Sequence, residues 1–168
     1  AYTFLKAQNI PIGKSIVEND YLDTAKEILE ECNKQNTPLY LAEDIVCADD
    51  FSNNANIKIF NSHEGIAPLF EGMDIGPITC DHWGHVLEKG SLIFWNGPLG
   101  VYEFNNFQKG TEYIAKVLSN LSATTIVGGG DSVAAIHKLD LADQFTHLST
   151  GGGASLEYIE KGSLPAID

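Results

Sequence analysis

A chain of 168 residues that is 43% hydrophobic, 20% charged and 10% aromatic, with 16 Gly and 6 Pro, is neither disordered nor fibrous by composition. At this length a single domain buries roughly 70% of the surface its unfolded chain exposes, enough for a core without disulfide or metal staples. Asp and Glu number 23 against 10 basic residues, a net charge of -13, and all ten basic residues are Lys. That field repels polyanions and excludes nucleic acid and anionic membrane surfaces as partners.

In chain order, residues 2–7 read as the end of a helix that Ile10-Pro11-Ile12-Gly13 breaks. Asp20 is placed to cap a helix over residues 22–33, where Leu22, Ala25, Ile28, Leu29 and Cys32 share one face and Lys26, Glu27, Glu30 and Glu31 face water. Leu39-Tyr40-Leu41 and Ile45-Val46-Cys47 read as short strands, with another at residues 57–60 after a polar stretch. Pro77 begins a helix that ends before Gly90, and Leu92-Ile93-Phe94-Trp95 is a buried strand.

From there helix and strand alternate: a helix near 107–121, a strand over 124–127, a helix over 132–138, a strand near 147–149 and a helix over 154–160. Short connections between alternating strands and helices predict an α/β, three-layer Rossmann-like fold with a mainly parallel sheet. Trp83 and Trp95 are most simply packing residues. Cys32, Cys47 and Cys80 form no CxxC pair, and no basic-then-apolar leader precedes them, so a reduced, cytoplasmic protein is expected. No apolar run approaches the roughly 18 residues of a spanning helix.

Three glycine clusters follow strands: Asn96-Gly97-Pro98-Leu99-Gly100, then Gly128-Gly129-Gly130-Asp131-Ser132, then Gly151-Gly152-Gly153. In a parallel sheet all three fall at the carboxyl edge, where ligands bind, where glycine lets backbone approach a phosphate, and where the next helix offers free N–H groups. With no Arg in the chain, a bound phosphate must be held by such N–H groups, a metal ion or a few lysines. Asp131 is placed to cap the following helix and to reach Mg2+ on a nucleotide phosphate, two roles that can hold at once.

Other motifs are weaker. Gly13-Lys14-Ser15 resembles the end of a Walker A loop, but Gln8 stands where its first Gly belongs. Ser132 could be an esterase nucleophile, yet nothing fixes His147 and Asp143 as its partners. His82 and His85 lie at helical spacing beside Asp81 without a further clustered zinc ligand.

The segments Phe94-Trp95-Asn96-Gly97-Pro98-Leu99-Gly100-Val101-Tyr102-Glu103-Phe104, Thr125-Ile126-Val127-Gly128-Gly129-Gly130-Asp131-Ser132-Val133-Ala134-Ala135 and Ser149-Thr150-Gly151-Gly152-Gly153-Ala154-Ser155-Leu156-Glu157 resemble, in order, the nucleotide-side motifs of the phosphoglycerate kinase family. Met73-Asp74-Ile75-Gly76-Pro77 and Tyr2-Thr3-Phe4-Leu5-Lys6 match as well, and the end at Leu164-Pro165-Ala166-Ile167-Asp168 is similar to the family's Leu-Pro-Gly tail with Ala166 in place of Gly.

The resemblance implies that residues 1–168 are part of the C-terminal, nucleotide-binding domain, without its first strands and their glycine-alanine-lysine loop and without the N-terminal substrate domain. It implies Mg2+ with ADP or ATP as cofactor, and 3-phosphoglycerate or 1,3-bisphosphoglycerate as a partner only with the missing domain. The intact enzyme would be a monomer. Glu103 would meet the ribose, and Asn96, Gly97, Pro98, Gly100, Val101 and Tyr102 would line the nucleoside pocket. Gly72 would lie near adenine. Asp131 would hold the metal, Gly130 and Ser132 would meet phosphates, and Gly151, Gly152 and Gly153 would present N–H groups to the transferring phosphoryl. The alternative is a non-catalytic nucleotide-binding or folding fragment with no activity of its own.

Overall fold

The computed structural model describes residues 1–164, so the expected tail motif, apart from Leu164, lies outside the described residues. The order is α1 (Tyr2–Ala7), α2 (Leu22–Gln35), β1 (Asp44–Ala48), β2 (Ile57–Asn61), β3 (Glu71–Ile75), α3 (Pro77–Leu87), β4 (Leu92–Asn96), α4 (Lys109–Ser119), β5 (Thr124–Gly128), α5 (Gly130–Lys138), β6 (His147–Ser149) and α6 (Gly152–Lys161). Strands β4, β5 and β6 form a parallel sheet in sequence order. Asn96 pairs with Gly128 and Gly128 with Ser149, so the last residues of the three strands stand in one row. That row is the carboxyl edge from which every glycine turn departs.

A second sheet was not expected. Strand β1 pairs antiparallel with β2 on one side and β3 on the other. Strand β3 escapes sequence reading because Glu71, Gly72 and Asp74 are poor strand formers and Asp74 is buried where alternation would call for an apolar residue. Leu39-Tyr40-Leu41, expected as a strand, is irregular backbone. Both edges of β1 are already taken, and Tyr40 instead sets its ring edge-on to His82.

The two sheets share one core. Ile45 and Cys47 of β1 pack in the same cluster as Trp95, Val127, Ile114, Leu118 and Ile136. Each large aliphatic side chain removed from water there contributes roughly 1.5–3 kcal/mol. The Cys47 and Cys80 thiols are buried in this region, and burial pushes both up to about 12, which makes them inert packing groups. No helix among the described residues is long and apolar enough to cross a membrane.

Helix starts are held from neighbouring strands rather than by their own caps. Asp20 does not cap α2: it lies in a 3-10 turn over Asn19–Tyr21, and Tyr21 occupies the cap position without a side-chain bond. At α3, whose cap residue is Gly76, the buried Asp44 carboxylate accepts the N–H groups of Ile78 (3.2 Å) and Thr79 (2.8 Å). At α4 the buried Asp74 carboxylate accepts Gly110 N–H at 2.8 Å as well as its neighbour Ile75 N–H at 2.9 Å. Burial outweighs these two bonds and pushes the Asp74 carboxyl up to about 6.

Candidate functional site at the carboxyl edge of the parallel sheet

The three glycine turns converge on the Asn96 side chain. A methyl group built on Gly128 would lie 2.9 Å from Asn96 Oδ1, on Gly129 3.5 Å, and on Gly152 2.7 Å from the same atom. The Gly152 methyl would also stand 2.9 Å from Gly129 Cα, so close backbone approach between the β5 and β6 turns requires a glycine at 152. Gly129 N–H donates to Ser149 C=O at 2.9 Å and ties these turns together.

Helices α5 and α6 both begin at this edge, at Gly130 and Gly152, somewhat earlier than the sequence pattern suggested. Neither has a side-chain cap, and Gly152 stands against the Gly129 main chain, so the two helix starts open side by side. The capping role offered for Asp131 is not the one it takes: Gly129 is the cap residue, and Asp131 sits exposed in the first turn with no hydrogen-bond partner recorded among the described residues. Partial burial, then the charges of Asp131 and Glu103, push the Tyr102 hydroxyl above its usual range.

The segment after β4 is pinned from several directions. Gly97 N–H donates to Ser132 Oγ at 2.8 Å, and Gly97 C=O accepts the Trp95 indole N–H at 2.7 Å. Leu99 N–H donates to Thr111 Oγ1 at 3.1 Å, and Val101 N–H to Met73 C=O at 2.9 Å. Gly100 packs directly on the Asp74 carboxylate. Lys138 donates to Gln108 Oε1 at 2.8 Å and reaches Tyr102 C=O at 3.4 Å, which fastens the same segment to α5. Trp95, Thr111 and Asp74 were not singled out as site residues. Trp95 and Asp74 stood inside the segments that carry the resemblance, but the rule that Trp and buried polar groups seek hydrogen-bond partners names no partner without the fold.

Gly72 lies apart from this row, on β3, against the Tyr2 hydroxyl, and its N–H donates to Ser15 Oγ at 2.9 Å. Pro98 is half-buried in the loop. Gly130, Gly151 and Gly153 line the opening of the two helices, and methyl groups built on Gly130 and Gly153 would meet nothing within 4 Å.

The competing motifs dissolve. Ser132 is fully buried and bonded to Gly97, so it is no accessible nucleophile. Ser15 is buried under Gly72, and no helix follows Gly13 as a phosphate loop requires. His82 pairs with Glu43, while His85 faces Asp81 and Glu88.

A parallel sheet with glycine turns and uncapped helix starts along its carboxyl edge is the frame of the α/β proteins that bind ligands at that edge. The phosphoglycerate kinase family profile matches residues 1–162, and the chain belongs to the phosphoglycerate kinase family. It is 49% identical over 169 residues to "Phosphoglycerate kinase" of Koribacter versatilis (strain Ellin345), covering 100% of this chain and 42% of that protein. It is 47% identical to "Phosphoglycerate kinase 3, cytosolic" of Arabidopsis thaliana, covering 99% and 42%. The solved phosphoglycerate kinase of Coxiella burnetii superposes with a TM-score of 0.92 at 40% identity, covering 99% of this chain and 43% of that one. That of Pyrococcus horikoshii OT3 superposes at 0.83 and 29% identity, covering 99% and 42%. The chain therefore spans about 42% of the length of the curated relatives it matches.

Proposed function

We propose that this chain is the nucleotide-binding part of a cytoplasmic phosphoglycerate kinase, which transfers a phosphoryl group reversibly between 1,3-bisphosphoglycerate and ADP. The carrying observation is the convergence of three glycine turns and two uncapped helix N-termini on Asn96. The 1-phosphoryl bond to the acyl oxygen breaks as a terminal oxygen of ADP bonds to phosphorus, giving ATP and 3-phosphoglycerate. Such a transfer needs in-line positioning and stabilisation of charge on the transferring oxygens, and no side-chain nucleophile.

In this reading the N–H groups opening α6 at Gly152 and Gly153 face the transferring phosphoryl, joined by that of Gly151 once it gives up its 3.2 Å bond to Ser149 Oγ, and those of Gly130 and Asp131 face the neighbouring phosphates. Asn96, Gly97, Pro98, Gly100, Val101 and Tyr102 hold the nucleoside, with Glu103 on the ribose hydroxyls and Gly72 on the adenine side. The chemistry of Asp131 suits Mg2+: an exposed carboxylate without a protein partner is a hard oxygen donor. No group of three or more ligating side chains occurs among the described residues, so such a cation would be shared with phosphate oxygens and water. Mg2+ held there would supply positive charge that offsets the charge of the phosphates. The cationic pocket for the substrate acid would be supplied by the part of the enzyme outside this chain.

Titration of the 15N-labelled chain with Mg-ADP tests the reading. Shifts should concentrate at Gly97, Gly130, Asp131, Gly151 and Gly153. No shift at several millimolar, weaker than about -4 kcal/mol of binding, or shifts confined to another face, would reject it.

A further inference from the structure

Gly97 is the residue at which the β4 turn and α5 meet. Its φ of 92° lies in the left-handed region, and a methyl there would meet nothing within 4 Å, so the backbone conformation and not space calls for glycine. A glycine free to leave that conformation would do so easily, yet both of its polar groups are held. Its N–H donates to Ser132 Oγ at 2.8 Å and its C=O accepts Trp95 Nε1–H at 2.7 Å. Ser132 is fully buried and Trp95 is 7% exposed, so water competes poorly for either bond. Ser132 comes from the first turn of α5, one residue after Asp131.

We propose that Trp95 and Ser132 are positioning residues that clamp the Gly97 peptide in the conformation that accepts a nucleoside, with Ser132 acting through Gly97 rather than on phosphate; this rests on the nucleotide-binding reading above. The clamp joins the nucleoside-side segment to the helix that carries Asp131, so both ends of one ligand are presented by a single rigid unit. The side chains address the same peptide from opposite sides, its N–H and its C=O, and neither bond compensates for loss of the other. If the accepting conformation is populated only in part, apparent affinity falls by that fraction. Loss of one such bond should cost roughly three- to tenfold.

The test uses the 168-residue chain and the variants Ser132→Ala, Ser132→Thr and Trp95→Phe. Amide hydrogen exchange is followed by NMR without ligand, and Mg-ADP and adenosine are titrated separately. In Ser132→Ala the Gly97 amide should exchange at least tenfold faster while the core Val127 amide is unchanged, and Ser132→Thr, which keeps the oxygen, should restore protection. Ser132→Ala and Trp95→Phe should each weaken adenosine and Mg-ADP by the same three- to tenfold factor. A direct phosphate contact by Ser132 would instead weaken Mg-ADP and spare adenosine, which overturns the proposal. Unchanged Gly97 exchange in Ser132→Ala overturns it too, as does faster exchange with both affinities intact. A wild-type chain that shows normal Gly97 protection but binds neither probe refutes the nucleotide reading and the accepting role of the clamp, while leaving the clamp itself in place.

Discussion

Replacing Gly152 by Ala sets a methyl group 2.7 Å from Asn96 Oδ1, 2.9 Å from Gly129 Cα and 3.0 Å from Gly129 N. The Asn96 side chain can turn aside. The Gly129 main chain cannot, because Gly129 N–H is bonded to Ser149 C=O and Gly129 C=O accepts Val133 N–H at 3.1 Å, so displacement strains β6 and α5 together. Overpacking of this kind costs roughly 1–3 kcal/mol. In a domain of this size each kcal/mol moves the melting temperature by about 2–4 °C, so overpacking alone should lower the midpoint of Gly152→Ala by about 2–12 °C. Gly153→Ala is the control, since its methyl meets nothing within 4 Å. Ala there also narrows the unfolded ensemble, a gain of about 0.4–1 kcal/mol, and the variant should melt at or slightly above the parent. Differential scanning calorimetry of the three proteins decides the matter, with Mg-ADP titration on the same samples. A Gly152→Ala variant that melts within about 1 °C of Gly153→Ala, which shares the unfolded-state gain, refutes the packing argument, since the least overpacking cost moves the midpoint further.

Two further outcomes are expected. Asp131→Ala should leave the melting temperature within about 2 °C, because the carboxylate is exposed and caps nothing. Mg-ADP affinity should nonetheless fall roughly tenfold or more, measured by calorimetry at saturating Mg2+. For Asp74, whose folded-state carboxyl is pushed up to about 6 from 3.8, the folded chain holds a proton that the unfolded chain releases between these values. Its contribution therefore favours folding at low pH and is lost as pH rises through about 6, a swing on the order of 3 kcal/mol. Urea unfolding between pH 4 and 7.5 should show that decline in the parent and a flatter profile in Asp74→Asn, and equal slopes would remove Asp74 as its source.

Much of the parallel half was legible because its strands are short runs such as Thr124-Thr125-Ile126-Val127, bounded by glycine, whose period and punctuation agree. Order and direction do not fix register, and it is the folded sheet that sets Asn96, Gly128 and Ser149 in one row. The antiparallel half was hidden because its strands are specified by long-range demands. Asp44 and Asp74 are strand residues only because helices α3 and α4 need acceptors there. The same holds in the site. Asp131 and the glycines advertise themselves by type and spacing, but that Ser132 turns inward to Gly97, 35 residues earlier, is a property of the packed sheet. The starts of α5 and α6 were each expected two residues late for a local reason, since Gly130 and Gly152 are poor helix formers that the turn geometry nevertheless places inside the helices.

A chain with a net charge of -13 and no Arg presents an unusual electrostatic case for an anionic ligand. Lys138, a lysine near the site, is engaged with Gln108 and the Tyr102 carbonyl, so the attractive charge at contact comes from helix N-termini and backbone N–H groups. These act within one turn of the ligand, closer than a Debye length, and salt hardly weakens them. The repulsion from the remaining carboxylates is spread over the whole surface and is screened, because the Debye length shrinks from about 30 Å at 0.01 M to about 8 Å at 0.15 M. Attraction is thus local and persistent, while repulsion is long-range and removable. Raising potassium acetate across that range at saturating Mg2+ should leave the affinity of this chain for Mg-ADP unchanged or strengthen it, whereas a site built from exposed lysines would weaken. Calorimetric titration at four salt concentrations makes the comparison. A loss of tenfold or more, about 1.4 kcal/mol, would mean that mobile cationic side chains and not the three glycine turns hold the phosphates.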